Sequence, residues 1–204
     1  GLLRFCKRTT GGNELVRIAT EPLSFLLIDS MLPKNTGRMI EKVKGLKGVL
    51  PETVECVFDG IEGLVMNVTN GSVNVGRGED VSARGEEDVN VRREENRNEG
   101  REDTHKGEIT LNSSHLNHAI DMNQYLLQAL GVSCEAIDAI VGLAREHHYA
   151  AKLTGGGGGG CVIAVASTEA DEKDEEAFMT HLSQRGFDYQ RIQIGGKGVQ
   201  VEEE

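Results

Sequence analysis

At 204 residues with a formal net charge of −11, the chain has room for one large domain or one and a half ordinary ones. That much negative charge argues against a nucleic-acid binder held by bulk electrostatics, and no apolar run approaches the roughly eighteen residues that a membrane span needs. The four cysteines, Cys6, Cys56, Cys134 and Cys161, form no CxxC pair and read as reduced thiols of an intracellular protein.

The chain opens at Gly1 without a secretory pattern, and residues 1–8 look like a strand whose partners are expected upstream. This predicts the C-terminal part of a longer protein. The apolar run Leu23–Met31 predicts a buried strand, and Pro33, Asn35 and Thr36 mark a turn. Asn35 or Thr36 is then the candidate N-cap of a helix to about Lys47, striped by Met39, Ile40, Val43 and Leu46. Pro51 stands where a second helix should begin, continued by Val54, Val57, Phe58, Ile61, Leu64 and Val65.

From Asn67 to Glu108 there is no Leu, Ile or aromatic residue. Such a stretch cannot bury enough apolar surface to offset ordering entropy, so an unstructured insertion is expected. Order should resume at Ile109. Leu116, Ala119, Ile120, Asn123, Leu126, Leu127 and Leu130 mark one helix face, ended by a C-cap at Gly131. Ser133 is the expected cap of a further helix carrying Ile137, Ile140, Val141 and Ala144.

Strand-like residues then bracket six glycines, Gly155 to Gly160. Thr168 and Asp171 resemble a capping box before a helix that packs through Ala177, Phe178 and Leu182. Phe187–Ile194 and Val199–Val201 read as two closing strands joined by Gly195-Gly196-Lys197-Gly198. The order suits an α+β fold, with helices covering one face of a mainly antiparallel sheet.

The glycine run formally contains GxGxxG, but in a homopolymer that match is automatic. A dinucleotide site needs a helix after the loop, and a β-branched run follows instead. A Walker A loop needs Lys-Ser or Lys-Thr after it, which is also missing. What survives is a hairpin loop whose successive amides could form an anion nest. Lys152 and Thr154 stand just before it to offer a cation and a hydroxyl. The competing reading is a low-complexity expansion in a surface hairpin. Lys34 and Thr36 put a second cation and hydroxyl at a helix N-terminus, a common place for anions.

Other groups read as structural. His115 and His118 lack a third ligand and read as solvated. His147-His148 suits a helix C-terminus. Cys161 has no nearby base and reads as a small buried residue. Asn67, Asn70 and Asn112 head sequons that are expected to stay unmodified.

Together these segments resemble the mevalonate kinases of the GHMP small-molecule kinase superfamily. Lys152-Leu153-Thr154, the six glycines and Cys161 are similar to that family's third glycine-rich motif. Ile120-Asp121-Met122-Asn123-Gln124 is similar to the segment before it, and Leu32-Pro33-Lys34-Asn35-Thr36 to its Pro-Arg-Asn-Thr turn. Phe187-Asp188 and Ile194–Val199 fit its last strands. Two departures stand out. The family usually has Ala where Gly156 stands, which should leave this loop looser. It commonly has Arg where Lys34 stands, and a lysine cannot make the bidentate fork.

The resemblance implies a ferredoxin-like C-terminal domain over 23–66 and 109–204, the end of an N-terminal domain over 1–22, and the insertion over 67–108. It implies ATP-dependent phosphorylation of mevalonate with Mg²⁺, in the cytoplasm. Lys152, Thr154 and Gly155, Gly156, Gly157, Gly158, Gly159 and Gly160 would form the ATP-phosphate loop. Lys34 and Thr36 would orient the substrate or the transferring phosphoryl group. The catalytic Asp and the metal ligands are expected before Gly1, so the chain alone should be inactive. No nucleic-acid or membrane partner is implied, and a homodimer is compatible. The runners-up are another GHMP kinase, such as a phosphomevalonate kinase, and a non-catalytic binding module.

Overall fold

In the computed structural model the described residues are 2–6, 14–18, 22–69 and 113–194. Strands β1 (Leu2–Cys6) and β2 (Glu14–Ile18) form a small antiparallel sheet in which Leu2 pairs with Ile18 and Cys6 with Glu14. The opening strand therefore has a partner after it, at Glu14–Ile18, rather than only the upstream partners that the sequence leads one to expect.

The main sheet holds β3 (Leu23–Asp29), β4 (Tyr149–Leu153), β5 (Cys161–Ala166) and β6 (Asp188–Ile194) in the order β4-β5-β3-β6. Every neighbouring pair is antiparallel. β3 is central, which explains why Phe25, Leu26 and Ile28 are all buried although they point to opposite faces.

One face is closed by helices. Leu26, Ile28, Ala151, Leu153, Val162 and Ala164 meet Ile137, Ile140, Val141 and Ala144 of α4 (Glu135–Glu146) and Phe178 and Leu182 of α5 (Glu172–Gln184). Helices α1 (Thr36–Val49) and α2 (Pro51–Thr69) add Met39, Val43, Leu46, Val54, Val57 and Ile61 to the same core. The other face has a smaller cluster of Phe25, Ala150 and Val165 against Leu116 and Ile120 of α3 (Ser113–Ala129). The expected α+β architecture is present, with α3 reaching the second face as well.

Several ends differ from the sequence reading. α2 runs to Thr69 with Val68 and Thr69 buried, so helix replaces the first three residues of the stretch expected to be an insertion. The rest of that stretch, and the final strand expected at Val199–Val201, lie outside the described residues. Ser133 does not cap α4. Cys134 is the N-cap residue and makes no side-chain cap bond, while the Ser133 hydroxyl is donated to Asp138 Oδ1 at 2.6 Å. The capping box of α5 is Asp171 with Asp174, not Thr168 with Asp171. Gly131 ends α3 as expected, at φ +71°, with Gly131 N–H on the Gln128 carbonyl and Val132 N–H on that of Leu127. This is the paired closure of a Schellman turn.

α3 lies along β4, whose outer edge would otherwise expose unpaired backbone groups. Asn117, Asp121 and Gln124 recur at helical spacing on the side that meets it. Gln124 accepts the Leu153 N–H, the Ala151 backbone hydrogen-bonds Asp121, and Asn117 donates to the Ala166 carbonyl at the tip of β5.

Candidate active site

The six glycines connect β4 to β5 at the same end of the sheet where β3 leaves for α1. Thr154 closes the hairpin by donating both its N–H and its hydroxyl to the Cys161 carbonyl, each at 2.9 Å. Beyond it Gly155, Gly157, Gly158, Gly159 and Gly160 have φ of +69°, +77°, +70°, +136° and +83°. Residues with a Cβ rarely tolerate this region, so the run of glycine is a backbone requirement at five of its six positions. Gly156 is the exception.

The loop is packed rather than loose. Gly158 N–H donates to the Val132 carbonyl at 2.8 Å, Gly160 N–H to the Leu32 carbonyl at 3.0 Å, and Ser30 N–H to the Gly160 carbonyl at 2.9 Å. A Cβ on Gly157 would overlap the Val132 carbonyl outright, and one on Gly159 would lie 2.8 Å from the carbonyls of Leu32 and Pro33. The loop is therefore threaded between the β3–α1 turn and the α3–α4 turn, with no room for side chains on its inner positions.

This threading brings the two sequence-predicted groups together. A Cβ on Gly156 would lie 2.8 Å from Thr36 Cγ2, and the Lys34 side chain runs over Gly160. Asn35 caps α1 by accepting the Arg38 N–H at 3.1 Å, so Thr36 is the first residue of that helix. Orphan amides of a helix start favour anions, and here they adjoin the loop. The backbone N–H groups of Gly155, Gly156, Gly157 and Gly159 make no backbone hydrogen bond among the described residues. Lys34 is exposed and has no ion-pair partner among them. Beside the loop, a cavity of about 610 Å³ is lined by Arg38, Met39, Lys42, Ser133 and Gly158.

Lys152 stands apart from this rim. It shares the second face of the sheet with Ile163 and Leu27, which align with it across β5 and β3. Its Nζ donates to the Leu153 carbonyl at 2.9 Å, and burial pushes its pKa down. Cys161 is half-buried, as a small packing residue would be. His147 Nε2 lies 2.9 Å from His181 Nδ1 and stacks on Phe178, so that ring joins α4 to α5 at the far end of α4. The sequence reading missed Val132 and Leu32, whose carbonyls hold the loop. It also missed Gln124, which is fully buried. Gln124 had a signal: a polar residue four after Ile120 and three before Leu127 sits inside an apolar stripe.

Residues 110–183 match the family model described as "GHMP kinases C terminal". Over those residues the chain is similar to the C-terminal domain of GHMP kinases. Mevalonate kinase from Schizosaccharomyces pombe is 26% identical over 203 residues, which make up 98% of this chain and 42% of that one. The crystal structure of L. major mevalonate kinase in complex with R-mevalonate overlays 93% of the chain and 48% of its own length, with a TM-score of 0.60 at 16% identity. Streptococcus pneumoniae phosphomevalonate kinase in complex with phosphomevalonate and AMPPNP overlays 90% of the chain and 43% of its own length, with a TM-score of 0.53 at 14% identity. At such identities the structural likeness establishes the fold. The chain thus spans about two-fifths of the length of the yeast relative, and its similarity to a mevalonate kinase runs nearly from end to end.

Proposed function

We propose that this chain is the C-terminal part of an ATP-dependent mevalonate kinase. The observation that carries the reading is the seating of the glycine loop against Thr36 and Lys34, with four of the loop amides left without backbone partners. Phosphoryl transfer asks a protein mainly for positioning and for stabilisation of charge spread over the phosphoryl oxygens. In this reading the outer loop amides and the N-terminus of α1 receive phosphate oxygens. The Lys34 ammonium offsets their charge. The Thr36 hydroxyl orients mevalonate or the transferred group. Lys152 and Thr154 support the loop from its β4 side. None of these groups is a general base at the 5-hydroxyl, so the catalytic acid residue belongs to another part of the protein.

The donor set fits a phosphate: bare amides, one hydroxyl and one ammonium, on a loop too crowded for side chains. Mg²⁺, if bound with the nucleotide, would offset part of the phosphate charge. Among the described residues no three His, Cys, Asp or Glu side chains are grouped to hold it, so none of those residues is assigned to the metal.

The test is a coupled ADP-release assay on the full-length protein that carries this chain. Turnover on mevalonate and none on phosphomevalonate is expected; the reverse preference makes it a phosphomevalonate kinase, and no turnover on either favours a binding module. The 204-residue chain assayed alone should release no ADP, and mevalonate-dependent release from it would defeat the proposal. In the full-length enzyme Thr36→Ala should lower kcat by about tenfold or more while the protein stays folded. Wild-type kinetics would remove Thr36 from the site.

A further inference from the structure

Two of the main-chain bonds that hold the glycine loop, at Thr154 and at Val132, lie next to groups bonded by a single buried side chain. Gln124 lies on α3 with no exposed surface. Its Oε1 accepts the Leu153 N–H at 2.9 Å, one residue before the Thr154 closure. Its Nε2 donates to Ser133 Oγ at 3.3 Å, next to Val132, whose carbonyl holds Gly158.

Donors and acceptors here admit one arrangement. Leu153 N–H can only donate, so the oxygen of the Gln124 amide must face it. The Ser133 hydroxyl proton is committed to Asp138 Oδ1 at 2.6 Å, so Ser133 Oγ is left to accept from Gln124 Nε2. Gln128 Nε2 reaches the same Asp138 oxygen, also at 2.6 Å. The series of bonds ends on a carboxylate in the first turn of α4, where the helix dipole favours negative charge. Gln124 is the buried member of this series, and losing its amide leaves the Leu153 N–H and Ser133 Oγ without the partner that faces them.

We propose that Gln124 is a positioning residue for the glycine loop. It ties the end of β4 to the α3–α4 turn and so fixes the distance across which Gly155–Gly158 are strung. This rests on the reading that the loop receives phosphate, but the two can fail separately. Gln124 touches no substrate; it acts through the Leu153 amide and the Val132 carbonyl.

The test compares Gln124→Met, Gln124→Glu and a control, Leu182→Val, in the full-length protein. Leu182 is buried on α5, in the core on the helical face of the sheet. The first readout is amide hydrogen exchange of the peptide that spans 154–161. Gln124→Met should speed exchange there by about tenfold, while the control leaves it unchanged at equal or greater loss of melting temperature. Gln124→Glu should restore protection at low pH. A protonated acid can accept from Leu153 and donate to Ser133, whereas a carboxylate has no proton for Ser133. Unchanged exchange in Gln124→Met, or a change no larger than the control's, overturns the proposal.

The second readout is kinetic. The KM for ATP should rise about tenfold in Gln124→Met with that for mevalonate unmoved. If exchange speeds up and the KM for ATP does not move, Gln124 still positions the loop and it is the phosphate reading that fails.

Discussion

The six glycines are alike in sequence but not in what a methyl group would do to each. Gly157 is at φ +77° with the Val132 carbonyl where a Cβ would stand. Gly157→Ala should therefore destabilise the protein by about 3 kcal/mol or more, since a backbone carbonyl cannot move aside as a side-chain tip can. Gly155 is at φ +69° over open space, so Gly155→Ala should lose only the left-handed strain of about 1–2 kcal/mol. Denaturant unfolding of the two variants separates steric overlap from strain, and equal losses would contradict the threaded geometry. Gly156 is the informative case. Its backbone accepts a side chain, which fits the family's usual Ala at this place, yet a new Cβ meets Thr36 Cγ2 at 2.8 Å. Gly156→Ala should thus be better tolerated in a Thr36→Ser background than alone. A double-mutant cycle should return a coupling of about 0.5 kcal/mol or more, and additivity would show that the two residues do not touch. Composition and spacing singled out both residues, but their contact was invisible in sequence because more than a hundred residues separate them.

At the scale of elements, periodicity succeeded where burial follows an apolar stripe. α1, α4, α5 and the hairpin β4–β5 lie where their patterns predict. It failed where polar groups take core positions. α3 was assigned a face through Asn123, whereas the buried residue is Gln124, since its amide has a strand edge to satisfy. The starts of α1 and α2 agree with the expected Asn35 cap and Pro51, but the caps of α4 and α5 differ, because several capping residues stand near each start and only packing decides which side chain reaches the first turn. For α5 the choice is Asp171, whose Oδ1 takes the N–H groups of Lys173 and Asp174 at 2.8 and 2.9 Å. Asp171→Ala should reduce stability by about 1 kcal/mol, read as a shift in the unfolding midpoint. Thr168→Ala, at the position the sequence favoured, should leave it unchanged. The pairing of β1 with β2 had a signal that the reading passed over: the sequence Gly11-Gly12-Asn13 between two short apolar runs is hairpin-turn chemistry.

Across the whole molecule, the two faces of the main sheet differ in kind. The helical face is closed by aliphatic residues and Phe178, while the second face carries Phe25, Ala150 and Val165 together with a lysine. Lys152 is half-buried there with no ion-pair partner among the described residues, and desolvation lowers its pKa. The sign of its effect on stability follows from proton binding. The unfolded chain holds the lysine proton up to about pH 10.4, whereas the folded state releases it earlier. Between the lowered value and about 10.4 the unfolded state binds more protons, so stability should rise with pH across that window. Below it, the buried charge is a constant penalty. The proposed use of this charge is at the phosphate loop, which begins three residues on at Gly155, and such a use offsets what the residue costs the fold at neutral pH. Lys152→Met should therefore raise the unfolding midpoint at pH 7, remove the alkaline rise in stability, and weaken ATP use by the full-length enzyme. A variant that gains stability and keeps wild-type ATP kinetics would leave Lys152 outside the site and make it a tolerated defect of the second face.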